Sequence, residues 1–168
     1  YKRQVYNFAK FLPETLDSIQ QQDEVNEIEI VILDGASTDE TPSLIKRYKE
    51  LLPNLKYVRQ SARGGIDRDM AEAVTASSGD YVWLFSGDDW ILPGGLGKIL
   101  AKIDYRATLY LTRHLEWRDH EEDWVVWPTV EAEEAEFFDL SNPRTRRDYF
   151  SRAQNTEAFF SFIGGIVV

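Results

Sequence analysis

The chain has 168 residues, 43% hydrophobic and 29% charged, a length and composition suited to one soluble globular core and unlike those of disordered or fibrous chains. Its formal net charge of -10 argues against non-specific nucleic acid binding, which depends on Lys and Arg displacing counterions from phosphates. The absence of cysteine excludes disulfides, thiolate zinc sites and a cysteine nucleophile, and agrees with a cytoplasmic address.

No apolar run approaches the roughly 20 residues that span a bilayer, and no signal-type apolar region follows Tyr1-Lys2-Arg3-Gln4. Leu12, Leu16 and Ile19 recur at helical spacing behind Pro13, which predicts a helix over 13–21. The β-branched run 28–33 predicts a buried strand that stops at Asp34-Gly35. Thr41 and Pro42 form an N-cap and N1 pair for a helix carried by Leu44, Ile45, Tyr48, Leu51 and Leu52. Residues 55–59 predict the next strand, and Ile66, Met70, Ala73 and Val74 the next helix, closing near Gly79. A strand over 81–85 then runs into Ser86-Gly87-Asp88-Asp89, followed by a helix from Pro93-Gly94-Gly95 to about Ile103 and a strand over 108–112.

Strands alternating with helices imply a mostly parallel sheet covered on both faces, in a single domain over 1–168. The apolar ending, residues 159–168, has no polar tail and reads as a chain cut short. In open α/β sheets ligands bind beyond the carboxyl ends of strands, and two acidic loops, 34–41 and 86–89, fall at such ends. Adjacent carboxylates repel, and a shared cation relieves the repulsion. Mg²⁺ and Mn²⁺ bind through one or two protein carboxylates plus substrate phosphates. The competing reading of Asp88 and Asp89 is a simple turn, since Gly-Asp is an ordinary turn former.

Four segments, taken together, resemble the family 2 glycosyltransferases of the GT-A fold. They are Asp34-Gly35-Ala36-Ser37-Thr38-Asp39-Glu40-Thr41, Gly64-Gly65-Ile66-Asp67-Arg68-Asp69-Met70, Ala76-Ser77-Ser78-Gly79-Asp80-Tyr81-Val82 and Ser86-Gly87-Asp88-Asp89. The Gly-Ile-Asp-Arg-Asp stretch and Trp83-Leu84-Phe85 look most like the abequosyltransferase-like branch that builds bacterial surface polysaccharide.

The resemblance implies an α/β, Rossmann-like fold and an inverting transfer of a hexosyl or deoxyhexosyl group. The donor would be a nucleoside diphosphate sugar, and the acceptor a saccharide or lipid-linked saccharide at the inner face of the membrane. Asp88 would touch the ribose or the metal, Asp89 would be the principal carboxylate on Mn²⁺ or Mg²⁺, and Asp34 would lie beside the nucleobase. Gly35 stands where many relatives carry a second acid, and Ser37 and Asp39 would shape the loop. The N-terminus departs from the family's apolar first strand, keeping only Tyr6-Asn7 and residues 11–16, with Tyr6 a candidate base contact.

Arg63 and Arg68 flank the glycine turn and are candidates for the diphosphate, or surface arginines at a helix start. The general base lies well downstream of the paired acids in the family. Glu116, Asp119, Glu121, Glu122 and Asp123 are nearer carboxylates in a run that also reads as a solvated face, and no catalytic residue is assigned. Trp117, Trp124 and Trp127 are candidates for stacking on an acceptor sugar or for core, and Arg144, Arg146 and Arg147 for a lipid-linked acceptor or water. His114 and His120 lack a metal-ligand spacing. A dinucleotide oxidoreductase would need a Gly-x-Gly-x-x-Gly turn, which is missing, and a nucleotidyltransferase a glycine-rich loop near the first strand. The remaining alternative is a non-catalytic or incomplete transferase domain that binds a nucleotide sugar or a partner protein.

Overall fold

The computed structural model describes residues 6–103, 107–112, 114–118, 123–127, 135–153 and 166–168. The chain forms two compact units, 1–104 and 105–168.

In the first unit, helix α1 (Leu12–Gln20) has Pro in its first turn and buries Leu12, Leu16 and Ile19, the residues whose spacing predicted it. Strand β1 (Ile30–Asp34) pairs in parallel with β2 (Leu55–Arg59), from Ile30 opposite Leu55 to Asp34 opposite Arg59. Between them α2 (Thr41–Leu51) buries Ile45 and Tyr48, and after them come α3 (Ile66–Ala76) and the short α4 (Gly95–Leu100). Phe8, the α1 stripe, Ile30, Ile32, Ile45, Tyr48, Leu52, Leu55 and Ile91 form one core. The Tyr48 hydroxyl crosses from α2 to α1, donating to Asp17 Oδ1 at 2.6 Å.

Two local expectations change. The N-cap position of α2 is Glu40, not Thr41, and the Glu40 side chain makes no capping hydrogen bond, while the Thr41 hydroxyl accepts the Phe8 N–H at 3.0 Å. Residues 81–85 form no ladder strand and hold only an isolated bridge at Trp83. Trp83 and Phe85 meet edge to face at 5.3 Å and pack against the core. Their aromatic character therefore reports burial, which strand and non-strand segments share.

In the second unit, β3 (Tyr110–Leu111), shorter than the expected 108–112, pairs antiparallel with β6 (Ile166–Val167). Strands β4 (His114–Arg118) and β5 (Asp123–Trp127) form an antiparallel pair with Trp117 opposite Trp124. Helix α5 (Pro143–Ser151) starts at Asn142, whose side chain accepts the Arg144 N–H. Among the described residues the only parallel pairing is thus in the first unit. No helix among them is long and apolar enough to cross a membrane.

Candidate active site

The site grows from the carboxyl ends of β1 and β2. Asp34 closes β1 and is fully buried, so its carboxylate requires donors from the protein. Tyr57 donates its hydroxyl to Oδ2 at 2.7 Å and the Ser37 N–H donates to Oδ1 at 2.8 Å. The Arg59 Nε lies 3.7 Å from Oδ2, while an Arg59 Nη donates to the Ser37 carbonyl at 2.8 Å. Burial, with Asp34 beside it, pushes the Tyr57 hydroxyl above its usual range and keeps it a donor.

The loop after β1 is stitched to the N-terminal segment. Asn7 adopts a left-handed backbone (φ 61°), and its side-chain oxygen accepts the N–H groups of Thr38 at 2.9 Å and Asp39 at 3.3 Å. Ser37 Oγ accepts the Asn7 N–H at 3.0 Å, and Asp39 accepts the N–H groups of Ala9 at 3.1 Å and Thr41 at 3.0 Å. Next to Asn7, the ring of Tyr6 carries the Arg63 guanidinium 4.8 Å from its centroid. Two residues singled out from sequence, Tyr6 and Arg63, are thereby brought together. Arg68 stands exposed in the first turn of α3.

Asp88 and Asp89 are both half-buried. Ser86 shapes the turn: its carbonyl accepts the Asp89 N–H at 3.3 Å, and its hydroxyl donates to Asp88 Oδ1. Burial, and then the neighbouring charge of Asp88, push the Asp89 carboxyl up to about 6. The segment beyond is anchored to α1. Ser18 Oγ accepts the Ile91 N–H at 3.0 Å, while the buried Gln22 amide donates to the Leu92 carbonyl at 3.2 Å and accepts the Leu96 N–H at 3.2 Å.

Two adjacent carboxylates, one resisting ionisation, fit a divalent cation that takes one or two protein oxygens and completes its shell with phosphate and water. Among the described residues no group of three or more His, Asp or Glu forms a self-sufficient metal cage. Of the downstream candidates, Asp119, Glu121 and Glu122 lie outside the described residues, as does His120, while Glu116 and Asp123 fall on β4 and β5. Arg144, Arg146 and Arg147 are exposed on α5. Sequence reasoning missed Tyr57, Arg59 and Gln60, because only the parallel register sets the end of β2 against Asp34.

Comparison with known proteins places this geometry in context. The profile described as Glycosyl transferase family 2 matches residues 4–162. Abequosyltransferase RfbV of Salmonella typhimurium is 30% identical over 172 residues, covering 97% of this chain and 50% of that protein. Among solved structures, Staphylococcus aureus TarS 1-349 in complex with UDP-GlcNAc aligns with a TM-score of 0.59 at 31% identity, over 63% of this chain and 31% of its own. The mannosyltransferase PcManGT from Pyrobaculum calidifontis, in complex with GDP-Man and Mn²⁺, aligns with a TM-score of 0.61 at 27% identity, over 70% and 35%. The chain spans half or less of the length of each of these relatives.

Proposed function

We propose that this chain, which belongs to glycosyl transferase family 2, forms the nucleotide-sugar-binding part of an inverting transferase acting in surface polysaccharide synthesis. The observation that carries the reading is the half-buried Asp88-Asp89 pair, with the Asp89 carboxyl raised to about 6. The GT-A relatives bound to UDP-GlcNAc and GDP-Man support a nucleoside diphosphate sugar donor, and the acceptor in this reading is a saccharide or lipid-linked saccharide.

In this reading Tyr6 offers its ring to the nucleobase, and Asp34, held by Tyr57 and Ser37, acts by setting the loop beside it. Arg63 and Arg68 face the diphosphate, and Asp88 meets the ribose or the metal. Asp89, with Asp88, would hold Mn²⁺ or Mg²⁺, which when bound supplies positive charge to the leaving diphosphate. A carboxylate downstream of the pair takes the acceptor hydroxyl's proton as the new bond forms.

Calorimetric titration with UDP, CDP, GDP and dTDP, each with Mn²⁺ and with EDTA, tests this. Manganese-dependent binding of a diphosphate, lost in Asp89→Ala, is expected. No binding by a folded sample would instead favour a non-catalytic domain.

A further inference from the structure

Helix α5 places its charges against the preference of its own dipole. The partial positive charge at a helix N-terminus favours acidic side chains in the first turn, yet the first turn of α5 has no acid and holds Arg144 and Arg146, with Arg147 next in line. All three are exposed. Helix stability gives no reason for them, and an anion brought to this end would relieve the repulsion.

Helical spacing sets Phe150 beside two of these arginines, because residues three and four apart share a face and Arg147 and Arg146 precede it by those steps. Phe150 is 38% exposed although it is large and apolar. The adjoining Tyr149 is instead buried, and its ring meets Phe138 at 5.2 Å. A fourth arginine holds the preceding segment to the helix: the Arg152 guanidinium lies 5.4 Å from the Phe138 ring, donates to Glu136 at 2.7 and 2.8 Å and approaches Asp148 at 3.6 Å. Glu136 and Asp148 are thereby matched by Arg152. Arg146 makes one long bond to the Leu140 carbonyl at 3.4 Å, and with Arg144 and Arg147 it forms a local excess of positive charge in a chain of net charge -10.

We infer that this face of α5 docks on a bilayer surface rich in anionic phospholipid, with the guanidinium groups at the headgroup phosphates and the Phe150 ring at the boundary beneath them. The inference stands apart from the nucleotide-binding reading and uses none of its residues. Free phosphate or a polyphosphate would engage the arginines alone, whereas a bilayer presents phosphate and hydrocarbon at adjacent depths, which suits cations flanking an aromatic ring. Each arginine at such a surface strengthens partitioning about fivefold, so three give on the order of a hundredfold. Acidic groups more than roughly 10 Å from the lipid are largely screened at about 0.1 M salt, so the local face outweighs the net charge.

Co-sedimentation tests this, using the chain without nucleotide or metal, phosphatidylcholine vesicles, and vesicles in which phosphatidylglycerol replaces part of the phosphatidylcholine. We expect at least about tenfold tighter binding to the phosphatidylglycerol vesicles, weakening as salt is raised. Joint replacement Arg144→Gln, Arg146→Gln and Arg147→Gln, which keeps good helix formers on the surface, should weaken that binding at least about tenfold. Should circular dichroism show that the triple variant does not fold, Arg147→Gln alone replaces it, with a loss of about fivefold expected. Equal binding to both kinds of vesicle, binding to neither, or full binding by a folded variant overturns the inference. Binding to heparin without binding to vesicles also overturns it, and would assign the face to an acidic macromolecule.

Discussion

Tyr57 and Asp34 share a hydrogen bond of 2.7 Å between neighbouring parallel strands, and it satisfies one oxygen of a carboxylate that has no exposure to solvent. Removing the hydroxyl in Tyr57→Phe leaves that oxygen with only the longer 3.7 Å approach of Arg59. The expected cost is about 1–3 kcal/mol of stability, read by urea denaturation. An unchanged midpoint would show that water or Arg59 replaces the hydroxyl.

Asp89 carries opposite demands from stability and function. A carboxyl whose folded pKa is raised to about 6 stabilises the fold while protonated. That contribution is present below its unfolded pKa of about 4 and is lost as pH rises through about 6. At pH 7.5, Asp89→Asn is therefore expected to gain about 1–2 kcal/mol in the absence of metal, after allowance for solvent screening, while losing manganese-dependent nucleotide binding. Thermal melts with EDTA and titrations with Mn²⁺ measure the two effects separately. A loss of both would mark Asp89 as structural.

If this pair holds the metal as proposed, its binding should depend on pH, because ligating carboxylates must be deprotonated. Affinity for Mn²⁺ with nucleotide is expected to fall as pH drops below about 6 and to level off above about 7. Titrations from pH 5 to pH 8 give the profile, and a flat one would remove Asp89 from the ligand set.

Asp39 shows the reverse sign. Burial raises its pKa, but the Thr41 side chain and the N–H groups of Thr41 and Ala9 outweigh burial and hold it below its usual value. Its contribution is present above the unfolded pKa of about 4 and is lost as pH falls through the folded value. Asp39→Ala should cost about 1 kcal/mol at pH 7, as for loss of a cap, and progressively less toward pH 3. Paired denaturation curves across that range measure the gap.

Gly64 is expected to reject any side chain. Gly64→Ala would place its Cβ 2.4 Å from Asp69 Oδ1, and that carboxylate is buried and held by Gln60. A loss of about 1–3 kcal/mol is expected. A neutral substitution, measured by thermal unfolding, would show that the backbone around Gly64 gives way to the added carbon.

Several features were legible in the chain itself because their causes are local. Apolar residues at helical spacing, proline in the first turn and a β-branched run yield α1, α2, β1 and β2 within one or two residues, and adjacency alone puts Asp88 beside Asp89. Side-chain neighbours across strands and loops were decided only by tertiary structure. The parallel register sets Tyr57 and Arg59 against Asp34, and the fold of residues 6–9 onto the loop after β1 brings the Phe8 N–H to the Thr41 hydroxyl. Likewise, the aromatic run 81–85 announces burial, yet a ladder also needs a neighbouring backbone in register, and that depends on where distant segments pack. Gln60 and Asp69 belong to the same class. Neither residue signals burial by its type or spacing, and only the packed fold leaves Gln60 Oε1 and Asp69 Oδ2 enclosed without a hydrogen-bond partner.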